Sequence, residues 1–179
     1  MKKLLISTLA MTVILASSSA MSAWKKDETA ELDAKSQEAV KVFREKDPSS
    51  KKFFEQAVAY AVIPTVGKAG IGIGGARGKG VLYENGKVTA IVTLSQLSIG
   101  FQWGGQAYSE FLFFQNNEAL TNFKRGNYEL GAQVSAVAVT AGVSADADFV
   151  NGMAIFTQAK GGLMYEAAVG GQKFKVELE

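Results

Sequence analysis

Between Gly70 and Gly80 the chain reads Gly-Ile-Gly-Ile-Gly-Gly-Ala-Arg-Gly-Lys-Gly, six glycines in eleven residues. Glycine loses more backbone freedom on folding than any other residue and gives a strand nothing to pack, so such density needs a local reason. Three reasons compete: a phosphate cradle, close approach of another backbone, or the bending of a sheet. The spacing Gly70-x-Gly72-x-x-Gly75 fits a dinucleotide site, but that site requires a helix directly after the glycines to hold the pyrophosphate. The chain continues Gly-Val-Leu-Tyr-Glu-Asn-Gly-Lys-Val-Thr-Ala-Ile-Val, two β-rich runs around Asn85-Gly86, the preferred pair for a tight hairpin turn. A Walker loop fails too, because Lys79 is followed by Gly80 and not by Ser or Thr. A nucleotide partner is excluded. Gly70, Gly72 and Gly74 fall on one strand face, with Ile71 and Ile73 on the other. That pattern suits a strand crossed closely by another element or coiled into a barrel-like corner, with a ligand-facing strip as the alternative.

Residues 1–23 have the form of a secretory leader. Lys2 and Lys3 open it, Leu4 to Ala16 is apolar, and Ser17 to Ala23 is small and cleavable, after Ala20 or Ala23. The apolar stretch is shorter than the ~20 residues a spanning helix needs. The expected product is one domain, residues 24–179, free in the periplasm, with an uncleaved anchor as the alternative. Cysteine is absent, which removes a lipoprotein anchor, disulfides, zinc thiolate sites and a thiol nucleophile. Of the 19 basic residues, Lys2 and Lys3 leave with the leader, so the remainder only match the 17 acidic ones. Nucleic acid is therefore not an expected partner.

Histidine is absent as well, which removes the commonest general base and the catalytic triads. No catalytic residue, cofactor or metal ligand is assigned, and the chain is read as a non-enzyme. Asp146 and Asp148 form an Asp-x-Asp that could ligate a hard cation, but calcium sites gather oxygens from several carboxylates, and ordinary solvated charge is the preferred reading. Glu110 and Glu166 are acids within apolar strands and are expected to point out of the sheet.

Helical spacing of Leu32, Ser36, Ala39, Val40 and Phe43 predicts a helix from Trp24 to Lys46, ended by Asp47-Pro48. Ser49 or Ser50 caps a second, Lys51 to Tyr60, and Pro64 marks the change to strands. Strands are expected near 69–76, 79–84, 87–94, 97–104, 107–114, 128–141, 150–158, 162–170 and 172–178. A short helix over 116–124 interrupts them. The fold class is α+β: N-terminal helices packed on a twisted antiparallel sheet or partly closed barrel.

Lys68, Arg77, Lys79 and Lys87 form a local basic excess near the glycines, opposed by Glu84. Lys68, Arg77 and Lys79 are the candidate lipid-headgroup contacts, assisted by glycine N–H groups, against the alternative of ordinary solvated charge. Leu97, Ile99, Phe101 and Trp103, with Tyr108, Phe111, Phe113 and Phe114, form either the core or an apolar groove for an acyl chain.

The run from Tyr60 to Leu82, containing Pro64-Thr-Val-Gly-Lys and the glycine strip, resembles the signature of the SYLF lipid-binding domain. Ser98-Ile-Gly-Phe-Gln-Trp-Gly-Gly-Gln, Phe113-Phe114, Phe123-Lys-Arg-Gly-Asn-Tyr-Glu-Leu-Gly-Ala and Lys160-Gly-Gly-Leu-Met-Tyr-Glu follow in order. The resemblance covers about residues 36–177 and implies lipid binding; eukaryotic members engage phosphoinositides, partly through an amphipathic helix, and some bind actin. Here, by contrast, Trp24 to Asp47 carries six basic and seven acidic residues, unlike a basic membrane-surface helix. The reading is an exported protein whose partner is anionic phospholipid or an acyl chain at a membrane surface. The alternative is a non-enzymatic protein-interaction or structural module of the envelope.

Overall fold

The structure, a computed structural model, describes residues 26–100, 106–126, 128–131, 134–160 and 169–178. The proposed leader, Phe101, Trp103, Glu166 and residues 162–168 of the strand expected over 162–170 lie outside them, and residues 169–170 of that strand are not extended ladder but the approach to a turn. The chain divides into Met1–Glu31 and Leu32–Glu179. The first contributes the opening of helix α1, residues 26–46; everything below concerns the second.

Helix α1 buries Ser36, Ala39 and Phe43, the stripe its periodicity marks. Pro48–Ser50 then form a 3₁₀ turn whose cap is Asp47, with a carboxylate that accepts from the Ser49 N–H at 3.1 Å and from the Ser49 hydroxyl. Ser50 precedes α2 without a side-chain cap, and α2 (Lys51–Gln56) is shorter than expected. Strand β1 begins at Ala59, well before Pro64, and runs unbroken to Glu84. Pro64 is tolerated because β1 pairs with β3 (Gln106–Phe114) through Ile63–Glu110 and then Val66–Tyr108, skipping the residue that has no N–H. Its carbonyl accepts from the Ser109 hydroxyl at 2.9 Å.

Beyond β1, Asn85 (φ 51°) and Gly86 (φ 73°) make the expected turn into β2 (Lys87–Gly100). Helix α3 (Asn117–Lys124) is capped by Asn116, whose side-chain oxygen accepts from the Ala119 N–H at 2.9 Å. The strand expected over 128–141 resolves into two fragments, β4 (Tyr128–Glu129) and β5 (Val137–Ala138), before the short α4 (Val143–Asp146). Strands β6 (Met153–Ala159) and β7 (Lys173–Leu178) complete a sheet ordered β4-β7-β2-β1-β3-β6-β5, antiparallel except where β5 meets β6.

The sheet is curled, and the glycines explain how. The first half of β1 pairs with β3 and the second with β2, so the strand passes from one half of the curl to the other. On the way it lies against its own beginning. A Cβ on Gly80 would stand 1.9 Å from the Val62 carbonyl oxygen, and one on Gly78 would stand 2.8 Å from that of Thr65. No other residue fits at Gly80 without moving backbone. Inside the curl, Ile63, Leu82, Val92, Leu94, Leu112, Phe114 and Phe174 share one apolar cluster with Leu120 and Phe123 of α3. Outside, Phe43 and Phe53 pack with Val62, Phe111, Phe113 and Phe156 into a second, aromatic cluster. Phe43 and Phe111 rings lie 4.6 Å apart, Phe53 and Phe156 4.8 Å. Tyr108, Phe111, Phe113 and Phe114 are thus core, which answers the groove alternative for those four.

Candidate functional site

Pleat alternation sorts the basic residues. Ala76, Leu82, Leu94 and Phe174 point into the curl, so Arg77 and Lys79, with β2 residues Thr93, Ser95 and Leu97, occupy the convex face. Register then adds residues from the strand expected over 172–178. Arg77 pairs with Ser95 and Ser95 with Lys173; Lys79 pairs with Thr93 and Thr93 with Lys175. Two basic rows therefore cross three strands. At their end stands Leu97, opposite Gly75 and 87% exposed, an unusual position for a large apolar side chain.

The acids nearby are largely engaged. Glu84, the one set against the basic residues, accepts from Lys124 at 2.7 Å and from Thr89 at 2.6 Å. Burial raises its carboxyl, but these bonds outweigh that and hold it below the usual range. On β7, Lys173 meets Glu129 at 3.4 Å and Lys175 meets Glu177 at 2.7 Å, both exposed pairs of the weak, exchangeable kind. Lys68 sits elsewhere. It is half-buried and shares the pleat face of Val66, which points into the curl. Lys87 lies at the hairpin turn, paired in register with Glu84.

Glu110 overturns an expectation. It does not point outward; it is wholly buried, on the face of Tyr108, Leu112 and Phe114 inside the curl. β3 is apolar on both faces, so its sequence offered no wet side to which the acid could be assigned. Gln172 reaches across from the turn before β7, and its amide donates to Glu110 Oε2 at 3.0 Å and to the Tyr108 hydroxyl at 3.3 Å. Burial pushes the Glu110 carboxyl up to about 8 in spite of that bond, so the acid is neutral at pH 7. Burial, with Glu110 close by, raises Tyr108 as well. Among the described residues, Glu110 Oε1, Gln172 Oε1 and the hydroxyl of Thr157, the residue paired with Glu110 on β6, have no hydrogen-bond partner.

Among the described residues no three potential ligands gather around a cation position. Asp148 accepts from the Phe149 N–H at 2.7 Å, and Asp146 closes α4. No described helix is long and apolar enough to cross a membrane.

Residues 95–177 match the sequence profile of the family described as "Ysc84: Las17-binding protein actin regulator". Beta cell expansion factor A of Aeromonas veronii is 27% identical over 143 residues, 78% of this chain and 53% of that protein. The chain therefore spans about half the length of that relative.

Proposed function

With residues 95–177 matching the Ysc84 (SYLF) family, a family of binding domains, we propose that this is an exported lipid-binding protein that docks on anionic phospholipid through its convex β1-β2-β7 face. The observation that carries the reading is the register of Arg77 and Lys79 with Lys173 and Lys175, around an exposed Leu97. Cations beside an anionic leaflet contribute about 1 kcal/mol each, and Glu129 and Glu177 offset two of the four, so these rows supply roughly 2 kcal/mol net. Inserting Leu97 adds about 2 kcal/mol. Together they come to about 4 kcal/mol, roughly millimolar affinity, a weak and readily reversible attachment. The leader over residues 1–23 delivers the protein to the periplasm, where a membrane surface of this kind is available; mass spectrometry of the N-terminus of the exported protein tests that step.

Vesicle sedimentation tests the docking. Phosphatidylglycerol vesicles at low salt should carry the protein down, and phosphatidylcholine vesicles should not. Arg77→Glu with Lys79→Glu should weaken the binding at least tenfold, and Lys68→Glu should weaken it least. Equal binding to both vesicle types would reject the reading. A protein partner on the same face is the second reading, favoured by the binding and regulatory words of the family description. Native mass spectrometry separates the two through co-purified lipid or a stoichiometric protein.

A further inference from the structure

Among the described strands the sheet ends in β4 on one side and β5 on the other, and these fragments are neighbours in sequence. They do not pair. Each is held by two residue pairs to its own side, β4 to β7 and β5 to β6. The curl therefore has a seam, and a cleft of about 600 Å³ opens along it. Tyr128 and Leu130 come from one lip, Met153 and Ile155 from the other. All four belong to or pack against the apolar cluster inside the curl. The Tyr128 hydroxyl spans the seam to Met153 Sδ at 3.3 Å. At the mouth, the polar lining residues are Ser135, Asp148 and Asn151, and among the described residues no basic one lines the cleft.

We propose that this seam cleft binds one acyl chain of a single-chain amphiphile whose headgroup is zwitterionic or neutral. The volume falls within the roughly 300–1,000 Å³ typical of small-ligand sites, and the mouth of a curled sheet is a common place for one. An apolar floor continuous with the core takes the hydrocarbon. The Asp148 carboxylate at the mouth favours a cationic amine or hydroxyls and disfavours a fatty-acid carboxylate or a bare phosphate. This site deepens the lipid-binding reading and rests on it for the class of ligand, but it uses none of the residues of the convex face.

Titration calorimetry of the whole protein with lauroyl lysophosphatidylcholine, below its micelle concentration, tests the proposal. One saturable site per chain is expected, with dodecanoate binding at least tenfold more weakly. Ser135→Trp and Val150→Trp fill the cleft from exposed positions, where folding is not at stake, and each should weaken lysolipid binding at least tenfold. Circular dichroism checks that both are native. The absence of saturable binding overturns the proposal, as do native variants that bind unchanged or dodecanoate that binds as tightly as lysolipid. A cleft that serves a peptide instead would give the first of these results. Vesicle sedimentation keeps the two sites apart. Ser135→Trp should leave attachment to phosphatidylglycerol intact, and Arg77→Glu with Lys79→Glu should leave lysolipid binding intact.

Discussion

A carboxylic acid kept inside a protein moves the pH at which that protein is most stable. Glu110 releases its proton near 4.5 in the unfolded chain and near 8 in the folded one. Between those values the folded state holds the extra proton, so the contribution of Glu110 to stability is greatest below pH 4.5, falls as pH rises, and stops falling above about 8, while the lowered carboxyls of Asp47 and Glu84 act in the opposite sense at acid pH. The loss is on the order of a few kcal/mol. Glu110→Gln keeps an oxygen for the Gln172 amide and cannot ionise. Urea denaturation should show the midpoint of the natural protein dropping between pH 5 and pH 8, and that of the variant staying nearly flat. Identical slopes would mean that Glu110 is ionised throughout. Glycines give a second contrast at this scale. Gly80→Ala drives a methyl into the Val62 carbonyl and should cost about 3 kcal/mol or more, whereas Gly67→Ala meets nothing within 4 Å and should be nearly neutral. Thermal melts of the pair decide whether the strip is there for backbone proximity.

Elements governed by local chemistry were legible before the structure, and those governed by distant contacts were not. Asn85-Gly86 dictates its hairpin through two positive φ values, and Asn116 its helix through one cap. Asn116→Ala should lower stability by about 1 kcal/mol. The full extent of β1 was hidden because Pro64 reads as a boundary and the glycine run as two strands, 69–76 and 79–84; only the skipped pairing with β3 and the self-contact at Gly80 show one strand passing through them. The stretch 128–141 failed the other way. Its β-forming residues predict one strand, but Leu130, Ala136 and Val139 are buried individually, and the two ends join opposite sides of the sheet. Asp47 is the costliest cap to lose. It serves the 3₁₀ turn and also accepts from the Ser144 N–H at 2.8 Å, tying α4 to a point 97 residues earlier. Asp47→Ala should therefore cost about 2–3 kcal/mol, more than Asn116→Ala, in the same melts.

At the scale of the molecule, a chain whose basic and acidic totals nearly balance still carries its charge unevenly. Strand register, invisible to composition, gathers Arg77, Lys79, Lys173 and Lys175 on one face, so Arg77 and Lys79 were legible as candidates but their β7 companions were not. Attachment to phosphatidylglycerol vesicles should accordingly fall steeply between about 50 mM and 500 mM salt, as the screening length shortens below the spacing of exposed charges. The residual binding at high salt should be lost in Leu97→Ser. A salt-independent profile would assign the attachment to apolar contact alone.

The continuity of β1 makes the back of the curl a spine, while its front, where β4 and β5 meet without pairing, resembles the loose edge of a book. Long ladders along β1 and β2 can yield only as a unit, whereas a two-residue ladder can detach and return by itself. Deuterium should reach the amides of 128–129 and 137–138 long before those of 90–94. A hydrocarbon tail could then enter from the front without the spine ever unbending.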